Sequence, residues 1–173
     1  KQVKVKKNIV EVICISPKTS NNGFVFPLYL YPVEVEDSVD LFGNQSEWER
    51  GEGGRVPNFD KGFIDEFSER LGLEFLIEGT GDLKKNYGPV DMFDYIYGVF
   101  HSPSYREKYA EFLKIDFPRV PWCGDKKVFV EYCDAGRRLR GLHLLEADEL
   151  YDEGRLPGFM GDGSGEVDSG YPK

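Results

Sequence analysis

Cysteine and histidine are scarce in this chain, with three Cys and two His among 173 residues. Cys14, Cys123 and Cys133 show no Cys-x-x-Cys spacing and are odd in number. With only His101 and His143 to add, no structural zinc site or disulfide framework is readable, and the thiols read as reduced, partly buried side chains. Long apolar runs are also missing: none approaches the roughly 18 residues that a membrane span needs. The first ten residues, KQVKVKKNIV, start basic but never develop the apolar stretch of a secretory signal. The expected location is cytoplasmic, with no membrane partner. No internal repeat is present, and the length suits one domain with a proper core.

Positive charge is in short supply too. A net charge of −9 disfavours a nucleic-acid binder at first sight, because phosphate contacts need Lys and Arg. The distribution removes that objection. Residues 33–54 hold seven acids against Arg50, net −6, and residues 144–170 hold eight against Arg155, net −7, so the remainder carries about +4. Basic residues gather at Lys1 to Lys18, at Arg106 to Lys127 and in the run Arg137-Arg138-Leu139-Arg140. Local charge decides where a polyanion docks.

What is present reads as an α+β (mixed α/β) domain, with short N-terminal β-strands followed by a helical half. Ile9 to Ser16 is rich in β-branched residues and reads as a strand; Phe24 to Tyr31 reads as a second, at an edge or interrupted because Pro27 cannot donate to a ladder. Residues 32–57 read as an acidic, Gly-rich surface loop. A helix is predicted from Asp60 to Leu71, capped by Asn58, with Phe63, Ile64, Phe67 and Leu71 at helical spacing and Gly72 as its stop. Leu73 to Ile77 reads as a short strand, followed by a loop to Gly88. Pro89 opens a helix to His101 with Met92, Phe93, Ile96, Tyr97 and Phe100 as one stripe. Ser102-Pro103 starts a helix to Lys114, and Pro118 and Pro121 break the segment after it. A last helix is predicted from Asp125 to Leu145, weakened by Gly136 and Gly141.

Four blocks, in order, carry a resemblance: FVFPLYLYP at Phe24 to Pro32, PNFDKGFIDEFSERLGLEF at Pro57 to Phe75, GPVDMFDYIYGVFHSPSYREKYAEFLKIDFPRVP at Gly88 to Pro121, and LRGLHLLE at Leu139 to Glu146. Together they resemble the C-terminal specificity (target-recognition) domain of type ISP restriction-modification enzymes and related adenine-N6 DNA methyltransferases. The resemblance implies one target-recognition domain over residues 1–146, with strands to about 77 and helices from about 89, and residues 147–173 as its acidic, Gly-rich, truncated end. The implied partners are double-stranded DNA and a methyltransferase domain of the same polypeptide. The implied parent is a site-specific adenine-N6 methyltransferase that uses S-adenosylmethionine, with restriction endonuclease activity as an option.

The chain itself lacks the Asp/Asn-Pro-Pro-Tyr/Phe motif that holds the target adenine in such methyltransferases. GDGSG at Gly161 to Gly165 follows no strong strand and precedes no helix pattern, so it is not read as a cofactor loop. The family pattern continues past residue 173, so a fragment is expected that binds and does not react, with no catalytic residue, cofactor or metal of its own.

The residues expected at DNA lie mainly between Ser102 and Lys127. Arg106 can bond phosphate or guanine with two prongs and Lys108 acts as a point charge, with Ser104, Tyr105 and Lys114 on the same predicted helix. The helix N-terminus at Ser102 to Tyr105 offers free N–H groups to a phosphate. The competing arrangement has Glu107 and Glu111 pairing with Arg106, Lys108 or Lys114 as a solvated face. Arg119 lies between two prolines in a rigid loop near Lys126, which suits contacts that set register. Asn21 and Asn22 can read an adenine edge or serve as turn residues. Phe93, Tyr97 and Phe100 are weighed as core against a stacking platform, and core is preferred. His101 and His143 have no carboxylate placed by sequence to orient them. The alternative function is a protein-interaction module that docks methyltransferase or motor domains without touching DNA.

Overall fold

The computed structural model describes residues 25–31, 48–147 and 150. The predicted strand Ile9 to Ser16, Asn21, Asn22 and the GDGSG segment lie outside the described residues. The architecture is α+β, with five α-helices and four two-residue strands in two small sheets among the described residues.

In the first sheet, β1 (Tyr29–Leu30) pairs antiparallel with β2 (Val56–Pro57), Tyr29 opposite Pro57 and Leu30 opposite Val56. The predicted strand is thus confined to its C-terminal end, after the proline that cannot donate. Strand β2 falls in the stretch expected to be loop, since a two-residue bridge has no periodicity to betray it. Asn58 extends this pairing: its N–H donates to the Leu28 carbonyl at 3.0 Å and its Nδ2 to the Pro27 carbonyl at 2.8 Å. It is therefore not the helix cap predicted from sequence. That role belongs to Asp60, whose carboxylate accepts the Phe63 N–H at 2.7 Å and satisfies a donor of the first turn.

Helix α1 (Lys61–Leu71) ends at Gly72, which takes the left-handed conformation (φ 63°) open to glycine at low cost. It buries Ile64, Phe67 and Leu71, with Phe63 half-buried. Strand β3 (Glu74–Phe75) then pairs in parallel with β4 (Asn86–Tyr87), a strand that the sequence pattern places in a loop. Around Phe67, the rings of Tyr87, Tyr95 and Phe129 meet in tilted and edge-on contacts with centroids 5.3–6.3 Å apart. Such pairs stabilise by about 0.5–1.5 kcal/mol beyond their area.

Helix α2 (Pro89–His101) is buried on more than one side. Asp91, Met92, Asp94, Tyr95, Tyr97, Gly98 and Val99 are buried, while Phe93, Ile96 and Phe100 are only half-buried. The apolar stripe read from sequence is therefore incomplete, because α5 (Lys126–His143) covers the face that carries two aspartates and a glycine. Helix α5 starts at Asp125, whose side chain accepts the Lys127 and Val128 N–H groups. Gly136 does not weaken it idly: a Cβ there would sit 1.8 Å from the Asp94 carbonyl oxygen, and one at Gly98 would sit 2.7 Å from that of Tyr132. Only hydrogen fits at this crossing.

The predicted helix from Ser102 to Lys114 is two pieces, α3 (Pro103–Lys108) and α4 (Phe112–Ile115), broken at Tyr109 (φ −107°, ψ 19°). The break allows Tyr105, Tyr109 and Leu113 all to pack on the core, and packing overrides helical continuity. Among the described residues, no helix is long and apolar enough to cross a membrane.

Candidate nucleic-acid interface

The structure separates the expected DNA-facing residues into distinct groups. Arg106 and Lys108 lie exposed on α3; Arg106 has no side-chain partner among the described residues, and the Lys108 ammonium lies 5.3 Å from the Tyr109 ring centre. Ser104 is exposed, its hydroxyl 2.8 Å from that of Ser102. Helix α3 has only six residues, so its summed dipole at Ser102 is small.

Tyr105 is part of the core. It is buried between Phe100 and Tyr109, and its hydroxyl donates to the Arg119 carbonyl at 2.8 Å, so neither ring nor hydroxyl faces outward. Lys114 pairs with Glu111 at 2.5 Å, one of the pairings weighed from sequence. Arg119 is 80% exposed, 3.6 Å from Asp116 and with its guanidinium 5.2 Å from the Phe112 ring centre. Lys126 donates from Nζ to the Lys84 carbonyl at 2.5 Å, which draws it to a loop 42 residues away.

The basic run at Arg137 to Arg140 serves a different purpose from the docking patch that its charge implied. Asp91 and Asp94 on α2 have no exposed surface. Asp91 Oδ2 accepts the Gly81 and Gly88 N–H groups at 2.6 and 2.9 Å, while its Oδ1 accepts from Arg137 at 3.1 Å. Arg140 grips Asp94 with two prongs, Nε at 2.6 Å and Nη2 at 3.0 Å. Burial pushes the Asp94 carboxyl up from the ordinary carboxylate range, against the pull of Arg140 and Arg137; the bonds to Asp94 in turn raise the Arg140 guanidinium. Because both guanidinium N–H groups aim at the carboxylate oxygens, the pair is ionised. Sequence reasoning missed this clamp. Its signal was present, since two acids three apart inside an apolar helix match two arginines three apart on another.

The two histidines, unconnected in sequence, meet at the far end of α2 and α5. The Tyr97 hydroxyl is 2.6 Å from His143 Nδ1, and His101 Nδ1 donates to the Tyr97 carbonyl at 2.8 Å. Burial raises the Tyr97 phenol above its usual range. No group of three or more His, Cys, Asp or Glu that could hold a metal occurs among the described residues.

Two further features bear on recognition. Asp82 accepts the backbone N–H groups of Lys85, Lys84 and Asn86 at 2.7, 2.8 and 3.2 Å, which holds its carboxyl down at about 2. Near α4, Phe26 and Phe117 meet edge-on at 6.1 Å, with Phe26 73% exposed, and Ile115 on α4 is 83% exposed.

A family model described as the type ISP C-terminal specificity domain matches residues 1–171. No curated protein and no solved structure gives a significant match.

Proposed function

This chain belongs to the type ISP C-terminal specificity domain family, and from that premise we propose that it binds double-stranded DNA and selects its sequence for a parent adenine-N6 methyltransferase of the restriction-modification kind. Catalysis belongs to the rest of that enzyme, and S-adenosylmethionine to its methyltransferase domain. The observation that carries the reading is the family match over residues 1–171. Arg106 and Lys108 support it physically, as exposed cations on α3 with no acid within ion-pair reach among the described residues. An unpaired arginine keeps its planar fork for phosphate or a guanine edge, and an unpaired lysine its point charge.

The test is a salt titration of binding to a mixed-sequence duplex. Binding is expected to be weak and to fall steeply with salt, because the domain acts alone and its overall charge is negative. Arg106→Ala with Lys108→Ala in the full enzyme should weaken binding and lower the salt slope by about 1 for each phosphate that is no longer neutralised. Absence of any binding at low salt removes the proposed function from this chain. Saturable heat on titration with S-adenosylmethionine counts against it as well.

A second reading is favoured by the exposed Phe26–Phe117 pair and the exposed Ile115: a module that docks a neighbouring domain, since apolar surface left open marks an interaction site. That reading predicts unchanged DNA affinity in the Arg106 and Lys108 variant.

A further inference from the structure

Six of the fifteen Lys and Arg among the described residues are closely answered by acids. Arg55, Lys61, Arg70, Lys114, Arg137 and Arg140 each have a carboxylate oxygen no farther than 3.1 Å away. Lys84 and Lys85 are exposed and have no side-chain partner among the described residues. Lys126 bonds to the carbonyl of Lys84, which holds its ammonium in place without neutralising it. Lys127 is 84% exposed and reaches Glu131 only at 4.0 Å, the outer limit of an ion pair. Two lysine pairs far apart in sequence thus form one surface.

Both pairs follow an aspartate that accepts backbone N–H groups, Asp82 in a turn and Asp125 at the start of α5. Asp82 takes the N–H groups of Lys84, Lys85 and Asn86, and Asp125 takes those of Lys127 and Val128. Each aspartate faces backbone donors, and Lys84, Lys85 and Lys127 are exposed beside it. The acids bordering the patch include Asp82, Asp125, Glu131 and the exposed Glu74, whose N–H donates to the Lys85 carbonyl at 2.9 Å. The Lys126 to Lys84 bond ties the Lys84–Lys85 turn to the start of α5.

We propose that Lys84, Lys85, Lys126 and Lys127 form a sequence-independent anchor for the phosphate backbone of DNA, separate from Arg106 and Lys108 on α3. The inference rests on the DNA-binding reading above. Flexible ammonium groups on a fixed backbone suit phosphates as point charges, and they set position without reading bases.

The experiment measures fluorescence anisotropy of the full chain on a mixed-sequence duplex across a salt series, for the unaltered protein and two triple variants. K84Q/K85Q/K127Q removes charge at exposed side chains and leaves Lys126 bonded; K84R/K85R/K127R keeps the charge. The Gln variant should lose about tenfold or more in affinity at low salt, and its log–log salt slope should fall by up to about 2.7, at about 0.9 per phosphate. The loss should be equal on duplexes of different sequence, and the Arg variant should bind as the unaltered protein does. A Gln variant that keeps affinity and slope overturns the anchor, as does an Arg variant that loses them. If the Gln variant binds normally while Arg106→Ala with Lys108→Ala binds weakly, the anchor is wrong and the DNA reading stands. No binding by the unaltered protein overturns both.

Discussion

Replacing Gly136 with alanine sets two effects of opposite sign against each other on α5. Alanine favours an interior helical position over glycine by about 1 kcal/mol. The new methyl would sit 1.8 Å from the Asp94 carbonyl oxygen and 2.7 Å from its carbon. A carbon rests about 3.3 Å or more from such an oxygen, so α2 and α5 must separate by about 1.5 Å. The carbonyl belongs to a helix and cannot swing aside. A gap of even about 1 Å forfeits up to half of each atom pair's attraction along the interface, and it stretches the Arg140–Asp94 bonds of 2.6 and 3.0 Å. Overpacking of this kind costs about 1–3 kcal/mol, occasionally more. The clash should win, with net destabilisation of about 2 kcal/mol, or a melting temperature lower by about 6 °C for a chain of this size. Gly141→Ala is the control on the same helix: its Cβ would meet nothing closer than the Ala147 Cβ at 3.6 Å, so the propensity gain should appear alone. Urea and thermal unfolding followed by circular dichroism measure both variants. A Gly136→Ala protein as stable as the Gly141→Ala protein would refute the close crossing of α2 and α5.

Arg140→Met should cost about 3 kcal/mol at neutral pH, because it leaves a fully buried Asp94 carboxylate facing only Arg137 at 3.7 Å. Burial already raises the Asp94 carboxyl, and losing Arg140 raises it further. The folded variant then binds a proton more readily than the unfolded chain, so its deficit should shrink as pH falls through the raised Asp94 range; a deficit that widens on acidification contradicts the assignment. Asp82, held down at about 2 by the amides of Lys85, Lys84 and Asn86, has the opposite sign. Its stabilisation should be complete above about pH 4 and fade as pH falls through about 2, and Asp82→Ala should flatten that acid limb. A carboxyl titration by NMR with a midpoint in the ordinary range near about 3.9 would count against the three-amide turn. Removing the Arg106 and Lys108 charges and removing the exposed lysine charges of the anchor should each lower the salt slope of duplex binding, independently of one another.

Local chemistry was legible at the ends of elements. Pro89, Asp125 and Gly72 each mark a helix terminus for reasons contained within a few residues: a fixed φ, a side-chain acceptor, a missing Cβ. Legibility failed where a residue's role depended on something distant. Asn58 and Asp60 are both acceptable caps by type, and only the pairing of Asn58 with Pro27 and Leu28 assigns the cap to Asp60. Tyr105 occupies the helical position of a surface residue as readily as a core one until Arg119 supplies an acceptor for its hydroxyl. Gly136 looked like a flaw in a helix because the backbone it must admit belongs to another.

By itself, the sequence determined the family, the α+β class, the limits of α1, α2 and α5, and the inventory of cations. Each rests on residue type and short-range spacing, which the chain carries in any conformation. Tertiary structure alone decided which of those cations remain available to a partner. Arg137 and Arg140 count as basic in sequence, yet buried acids 46 residues away hold them; Lys84 and Lys126 are 42 residues apart, yet share one surface. The reason is Coulombic: a charge's reach is set by distance and burial in space, and neither is a property of position along the chain.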